Sequence, residues 1–178
     1  MTPSSSRIAL GLLSALAVLV ADQVTKGWAM AFMAAHGPGV VPVTAFFDLV
    51  ALWNTGISYG LFPQGEAGRW VLVAIKVVAA LAFAAWLTRA HRRVEALGLG
   101  LLIGGAIGNA VDRVVYGAVF DFIALHAFGY RWYVFNVADV AVVAGVGLLL
   151  YDAFFGRASK TPPSPPPMSP HSEAEREP

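Results

Sequence analysis

Four long apolar runs, at about residues 8–30, 70–88, 94–115 and 138–156, constrain this chain more than any other feature. Hydrocarbon offers no partner to a free backbone N–H or C=O, so such runs cross a bilayer as helices. About 20 residues at 1.5 Å rise are enough. With 57% hydrophobic residues, 13% charged residues and a mean hydropathy of +0.65, the chain is too apolar for an ordinary soluble domain of this size. The expectation is a multi-span membrane protein. A secretory signal peptide is the alternative for the first run, with Arg7 as its basic region and Ala21 as a cleavage position. The run continues two turns past Ala21, and Leu19 fits poorly where cleavage wants a small residue.

A net charge of +1 gives no field that would gather nucleic acid, and no basic patch is interleaved with aromatics. Cys is absent, which excludes disulfides, thiolate nucleophiles and thiolate metal sites.

Between the first two runs, Gly37 to Gly68 carries Gly, Pro and Asn around β-branched and aromatic residues, a pattern of short strands and turns. Arg7, Arg89, Arg92, Arg93, Arg157 and Lys160 all fall on one side of a four-span path, and Lys and Arg concentrate in short cytoplasmic loops. Both termini are therefore expected in the cytoplasm. The Pro- and Ser-rich stretch 157–178 reads as a disordered cytoplasmic tail, leaving 1–156 as a single membrane domain.

That orientation puts the polar residues of the apolar runs in one layer. Asp22 lies about 20 Å along the first helix, with Lys26 one turn on; Asn109, Asp112 and Arg113 lie at the outer end of the third. Asn136 and Asp139 open the fourth, and Asn54 and Asp121 belong to outer loops. Charged groups near a bilayer core are costly, so their gathering points to a site.

Each residue also has a plainer reading. Asp22 and Lys26 form an i,i+4 pair, acid before base, and Asn109 shares a face with Arg113. Lys76 reads as a snorkelling side chain. Asp112, at the negative end of its helix, needs a partner. Asn136 and Asp139 fit an N-cap and its N3 acceptor. A helix N-terminus stabilises the Asp139 carboxylate, whereas the apolar setting VFDFI raises the pKa of Asp121. Carboxyls pushed apart in this way can share a proton, one as base towards water and one as acid towards substrate. That is the arrangement of an aspartic protease.

Other chemistries lack their residues. His36, His91, His126 and His171 show no metal-ligand spacing, no GxSxG occurs, and Ser58 has no base beside it. The Gly-rich GLGLLIGGAIG sits inside an apolar run, where small residues let helices approach. A proton-coupled transporter would spread its polar groups through the bilayer depth. A scaffold would tolerate Asn at positions 121 and 139.

The chain resembles the lipoprotein signal peptidase family, the type II signal peptidases of bacteria, up to about Gly156. The matching pieces are DQVTK from Asp22, NTG from Asn54, GGAIGNAVDR from Gly104, VFDFI from Val119 and FNVAD from Phe135. The resemblance implies an aspartic endopeptidase of the bacterial inner membrane that needs neither metal nor cofactor. Its substrate would be a prolipoprotein carrying diacylglyceryl-Cys, cut on the N-terminal side of that Cys. Asp121 and Asp139 fall on the catalytic positions. Asp22, Lys26, Asn54, Gly56, Gly105, Asn109, Arg113 and Asn136 fall on positions that shape or stabilise the site. The implied fold is an all-α membrane protein: four transmembrane helices, a small extracytoplasmic β-cradle after span one, and a short lid-like helix between Phe120 and Phe135. A monomer is expected, with membrane lipid and the prolipoprotein as partners and no nucleic acid. Ile57 is larger than the residue the family commonly has after Asn-x-Gly, which bears on the shape of the substrate groove.

Overall fold

The computed structural model describes residues 5–37, 39–56 and 65–156. The Ile57 departure, Ser58 and the 157–178 tail lie outside the described residues. Among the described residues, four helices are long and apolar enough to cross a membrane: α1 (Ser5–His36), α2 (Glu66–Leu87), α3 (Arg93–Tyr116) and α4 (Val137–Phe155). They follow the four apolar runs, but α1 continues beyond Met30 to His36. At 1.5 Å per residue it is about 48 Å long, more than the hydrocarbon core needs, so one end stands clear.

Helix α3 is the hub and packs against α1, α2 and α4. Its apolar window is 67% buried, against 17–22% for the other three helices, which turn side chains such as Leu13, Val24, Val78, Leu81 and Val143 outward. This exposed apolar surface suits contact with lipid. Glycine makes the close approach possible. A Cβ on Gly104 would lie 2.5 Å from the Ala15 backbone oxygen, and one on Gly105 would lie 2.6 Å from that of Ala138. At one end of the bundle Ala15, Leu87, Ala96, Leu99 and Ile103 form a core cluster.

At the other end lies an antiparallel sheet of β1 (Val41–Pro42), β2 (Phe47–Asn54), β3 (Val119–Ala127) and β4 (Tyr130–Phe135), in that order. Phe120, Phe122 and Leu49 pack with Ala29 and Met33, which seats the sheet on the end of α1. The sheet bears out the strand pattern read in Gly37 to Gly68 as far as Asn54; residues 57–64 lie outside the described residues, and Glu66 to Gly68 open α2. It corrects two other expectations. Residues 120–135 form the β3–β4 hairpin rather than a short helix, because Val119–Ala127 is rich in strand-forming side chains and Phe128 and Gly129, both at positive φ, make its two-residue turn. Asn54 and Asp121 lie on neighbouring strands rather than in loops: Leu52 pairs with Asp121 and Asn54 with Val119.

Gly104→Ala is expected to lower the thermal midpoint in detergent, since a methyl group there must displace backbone, at a cost of about 1–3 kcal/mol. Gly147→Ala, where a Cβ meets nothing within 4 Å, leaves the midpoint unchanged or raises it.

Candidate active site

The site is built around a buried ammonium group. Lys26 Nζ lies 2.8 Å from Asp22 Oδ2, 2.8 Å from Asp112 Oδ2 and 3.1 Å from Asn109 Oδ1. Its three protons thus meet three acceptors. Asp22, Lys26 and Asp112 are each at most 1% exposed, so the cluster is more than a surface helix pair.

The same carboxylates reach the other elements. Asp22 Oδ1 accepts from Ala138 N at 2.9 Å, satisfying an orphan donor in the first turn of α4. Asp112 Oδ2 accepts from Phe120 N at 3.1 Å, joining α3 to β3. Asp112 thereby finds the partner that its place near the α3 C-terminus demands.

Asn109 and Asn136 carry the network to the two candidate catalytic residues. Asn109 Oδ1 accepts from Lys26 Nζ, and Asn109 Nδ2 donates to Asp139 Oδ1 at 2.9 Å. Asn136 caps α4 with a full capping box: its side chain accepts from Asp139 N, and its backbone N donates to Asp139 Oδ2. Its Nδ2 also donates to Asp121 Oδ1 at 2.7 Å and lies 3.2 Å from Asn109 Oδ1. One asparagine therefore holds both Asp121 and Asp139.

The two carboxyls differ in setting. Asp121 is 1% exposed and receives Asn54 Nδ2 at 3.2 Å on its second oxygen. Burial pushes its pKa up to about 6; the Asn54 hydrogen bond pulls it down, and the charge of Asp139 pushes it up again. Asp139 is half-buried at the first turn of α4.

The remaining sequence-selected residues stand around this pair. Asn54 Oδ1 accepts from Gly56 N, which shapes the turn after β2. Arg113 is buried and donates through Nη1 to Thr55 O at 3.2 Å. Gly105 lets α4 approach α3 and touches neither aspartate through a side chain. Lys76 is set apart from the cluster, beside an apolar cavity between α2 and α3.

Three contributors were not picked out from the sequence. Gln23 Nε2 reaches Asp112 Oδ1 at 3.0 Å and Asp22 Oδ2 at 3.2 Å; a polar side chain in an apolar run was its only signal. Gly108 leaves room for Asp22, whose Oδ2 would stand 2.6 Å from an added Cβ. Arg69 donates to Arg113 O and Val114 O, capping the end of α3.

Fold and site together define a multi-pass membrane protein with a carboxyl pair at one end of its bundle. A family model described as Signal peptidase (SPase) II matches residues 14–155, and the chain belongs to that family. It is 52% identical over 168 residues to a lipoprotein signal peptidase of Rhodopseudomonas palustris, covering 91% of this chain and 100% of that one. It is 53% identical over 150 residues to one from a Methylobacterium species, covering 84% and 91%. A solved structure described as a bacterial membrane enzyme, determined by the in meso method at 2.3 Å resolution, superposes with a TM-score of 0.69 at 27% identity, covering 87% of this chain and 93% of that one.

A raised carboxyl pKa has a definite consequence for stability. Between the ordinary value of 3.8 and about 6, the folded protein holds the Asp121 proton and the unfolded chain does not. Stability therefore falls as pH rises through that window, by about 2–3 kcal/mol in total. Thermal midpoints in detergent are expected to show the unaltered protein losing ground to Asp121→Asn between about pH 4 and pH 6, with no further change in the difference above that window.

Proposed function

We propose that residues 1–156 act as one membrane peptidase unit in which Asp121 and Asp139 cut the substrate with an activated water. As a signal peptidase II, the chain removes signal peptides from prolipoproteins. The substrate carries diacylglyceryl-Cys, and the cut falls on the N-terminal side of that Cys. The observation that carries the assignment is Asn136, which bridges two carboxyls in unequal settings.

The roles follow from those settings. Asp121, buried and with its pKa pushed up to about 6, donates to the scissile carbonyl oxygen as general acid. Asp139, held by donors from Asn136 and Asn109, is the base that takes a proton from water as the water oxygen bonds to the carbonyl carbon. The tetrahedral diol collapses as Asp139 passes that proton to the amide nitrogen and the C–N bond breaks. The diol returns a proton to Asp121, so the pair ends in its starting state. Asp22, Lys26, Asn54, Asn109 and Asn136 position the carboxyls, and Asn54, Gly56 and Arg113 shape the wall formed by the end of β2.

Both termini face the cytoplasm in this reading, and the sheet and carboxyl pair stand at the outer face of the inner membrane. Arg7, Arg89, Arg92 and Arg93, grouped at the opposite end of the bundle, support that orientation. A site at the interface lets the acyl chains stay in lipid while the peptide bond meets water.

Detergent-purified protein is expected to cleave a diacylglyceryl-modified prolipoprotein beside the lipidated Cys. Asp121→Asn and Asp139→Asn, each checked for folding, are expected to lose at least about a thousandfold in turnover, since each removes a group acting in the transition state. Retention of activity by either variant would remove that residue from the mechanism. Absence of cleavage by the well-folded unaltered protein would overturn the peptidase reading itself.

A further inference from the structure

The end of the bundle away from the carboxyl pair has a cavity of its own. It measures about 270 Å³ and is lined by Ser6 and Arg7 at the start of α1, His91 in the turn between α2 and α3, and Arg93 at the start of α3. The cleft is largely open at its mouth and has room for a phosphate with part of its ester.

The walls are cationic and incompletely satisfied. Arg7 Nη1 donates to His91 O, which ties α1 to the α2–α3 turn, but its buried Nε has no hydrogen-bond partner. Arg93 is exposed and, among the described residues, makes no ion pair. The nearby acids are occupied: Glu95 receives Trp86 Nε1 and His91 N, each at 2.8 Å, and Asp152 pairs with Arg92 at 2.9 Å. The start of α3 adds a helix N-terminus that Arg92 caps without a side-chain hydrogen bond, with Glu95 in its first turn partly offsetting the field.

We propose that this cavity binds the phosphodiester of an anionic phospholipid, gripped by the guanidinium groups of Arg7 and Arg93. Guanidinium forks match phosphate oxygens in pairs, and a phosphodiester brings the charge these walls lack. A lipid fits better than a free phosphate because Leu13 and Val20, 65% and 51% exposed, follow Ser6 at seven-residue intervals along one face of α1 and offer an apolar track for its chains. Placing that lipid in the cytoplasmic leaflet rests on the orientation proposed above. Binding itself does not depend on peptidase activity, so a failed cleavage assay leaves it open to test.

The test is native mass spectrometry of the full chain in neutral detergent, titrated with phosphatidylglycerol, phosphatidylcholine or inorganic phosphate. One phosphatidylglycerol is expected to bind at least about tenfold more tightly than phosphatidylcholine, and inorganic phosphate at equal concentration should not displace it. Arg93→Gln, which leaves the Arg7–His91 contact intact, is expected to weaken phosphatidylglycerol binding at least about fivefold with an unchanged thermal midpoint, and Arg7→Gln to weaken it at least as much with a lower midpoint, because it also removes the tie to His91. Equal retention of both lipids, or unchanged binding in Arg93→Gln, would overturn the proposal. Displacement by inorganic phosphate would overturn the lipid assignment and leave a site for the free anion.

Discussion

The ammonium of Lys26 is the interaction on which the rest of the site depends. It is buried where an unpaired charge would be severely unfavourable, and its acceptors come from two helices. Each of its carboxylate partners then receives a backbone N–H from a further element, Ala138 in α4 and Phe120 in β3. The four pieces that must meet to form the site are thereby tied to one cation. Removing a single partner of such a cluster typically costs about 3–5 kcal/mol, because it strands the remaining charges.

That cluster positions the carboxyl pair through amides rather than through further charges. Asn109 and Asn136 present both donors and acceptors, so each links an ion to a neighbour with no extra charge to bury. The glycines of α3 make this possible from below. Close approach of α1 and α4 to α3 lets side chains as short as Asp and Asn span the gaps between helices. The two carboxyls differ in setting because they come from different kinds of element, Asp121 from a buried strand and Asp139 from a helix terminus.

Much of this was legible in the chain. The four helices follow from apolar length, and the polar layer followed once those helices were given alternating directions. The capping box of Asn136 and Asp139 is a local pattern and was readable as such. The hairpin at 119–135 departs from the short helix that the family resemblance implies, because the strand-forming side chains of VFDFI decide the local structure. Gln23 and Gly108 escaped because their roles exist only across the α1–α3 contact, more than eighty residues apart in sequence. Arg69 escaped for the same reason, since the carbonyls it caps belong to another helix.

The site holds two carboxyls in unequal settings, and the proposed mechanism puts the proton on Asp121. Infrared spectroscopy of protein labelled with ¹³C-carboxyl aspartate, followed from about pH 5 to pH 8, tests it most directly. A protonated carboxyl band should fade with an apparent pKa near 6, be absent in Asp121→Asn and persist in Asp139→Asn. A band that survives in Asp121→Asn and vanishes in Asp139→Asn would contradict the account and reverse the two roles.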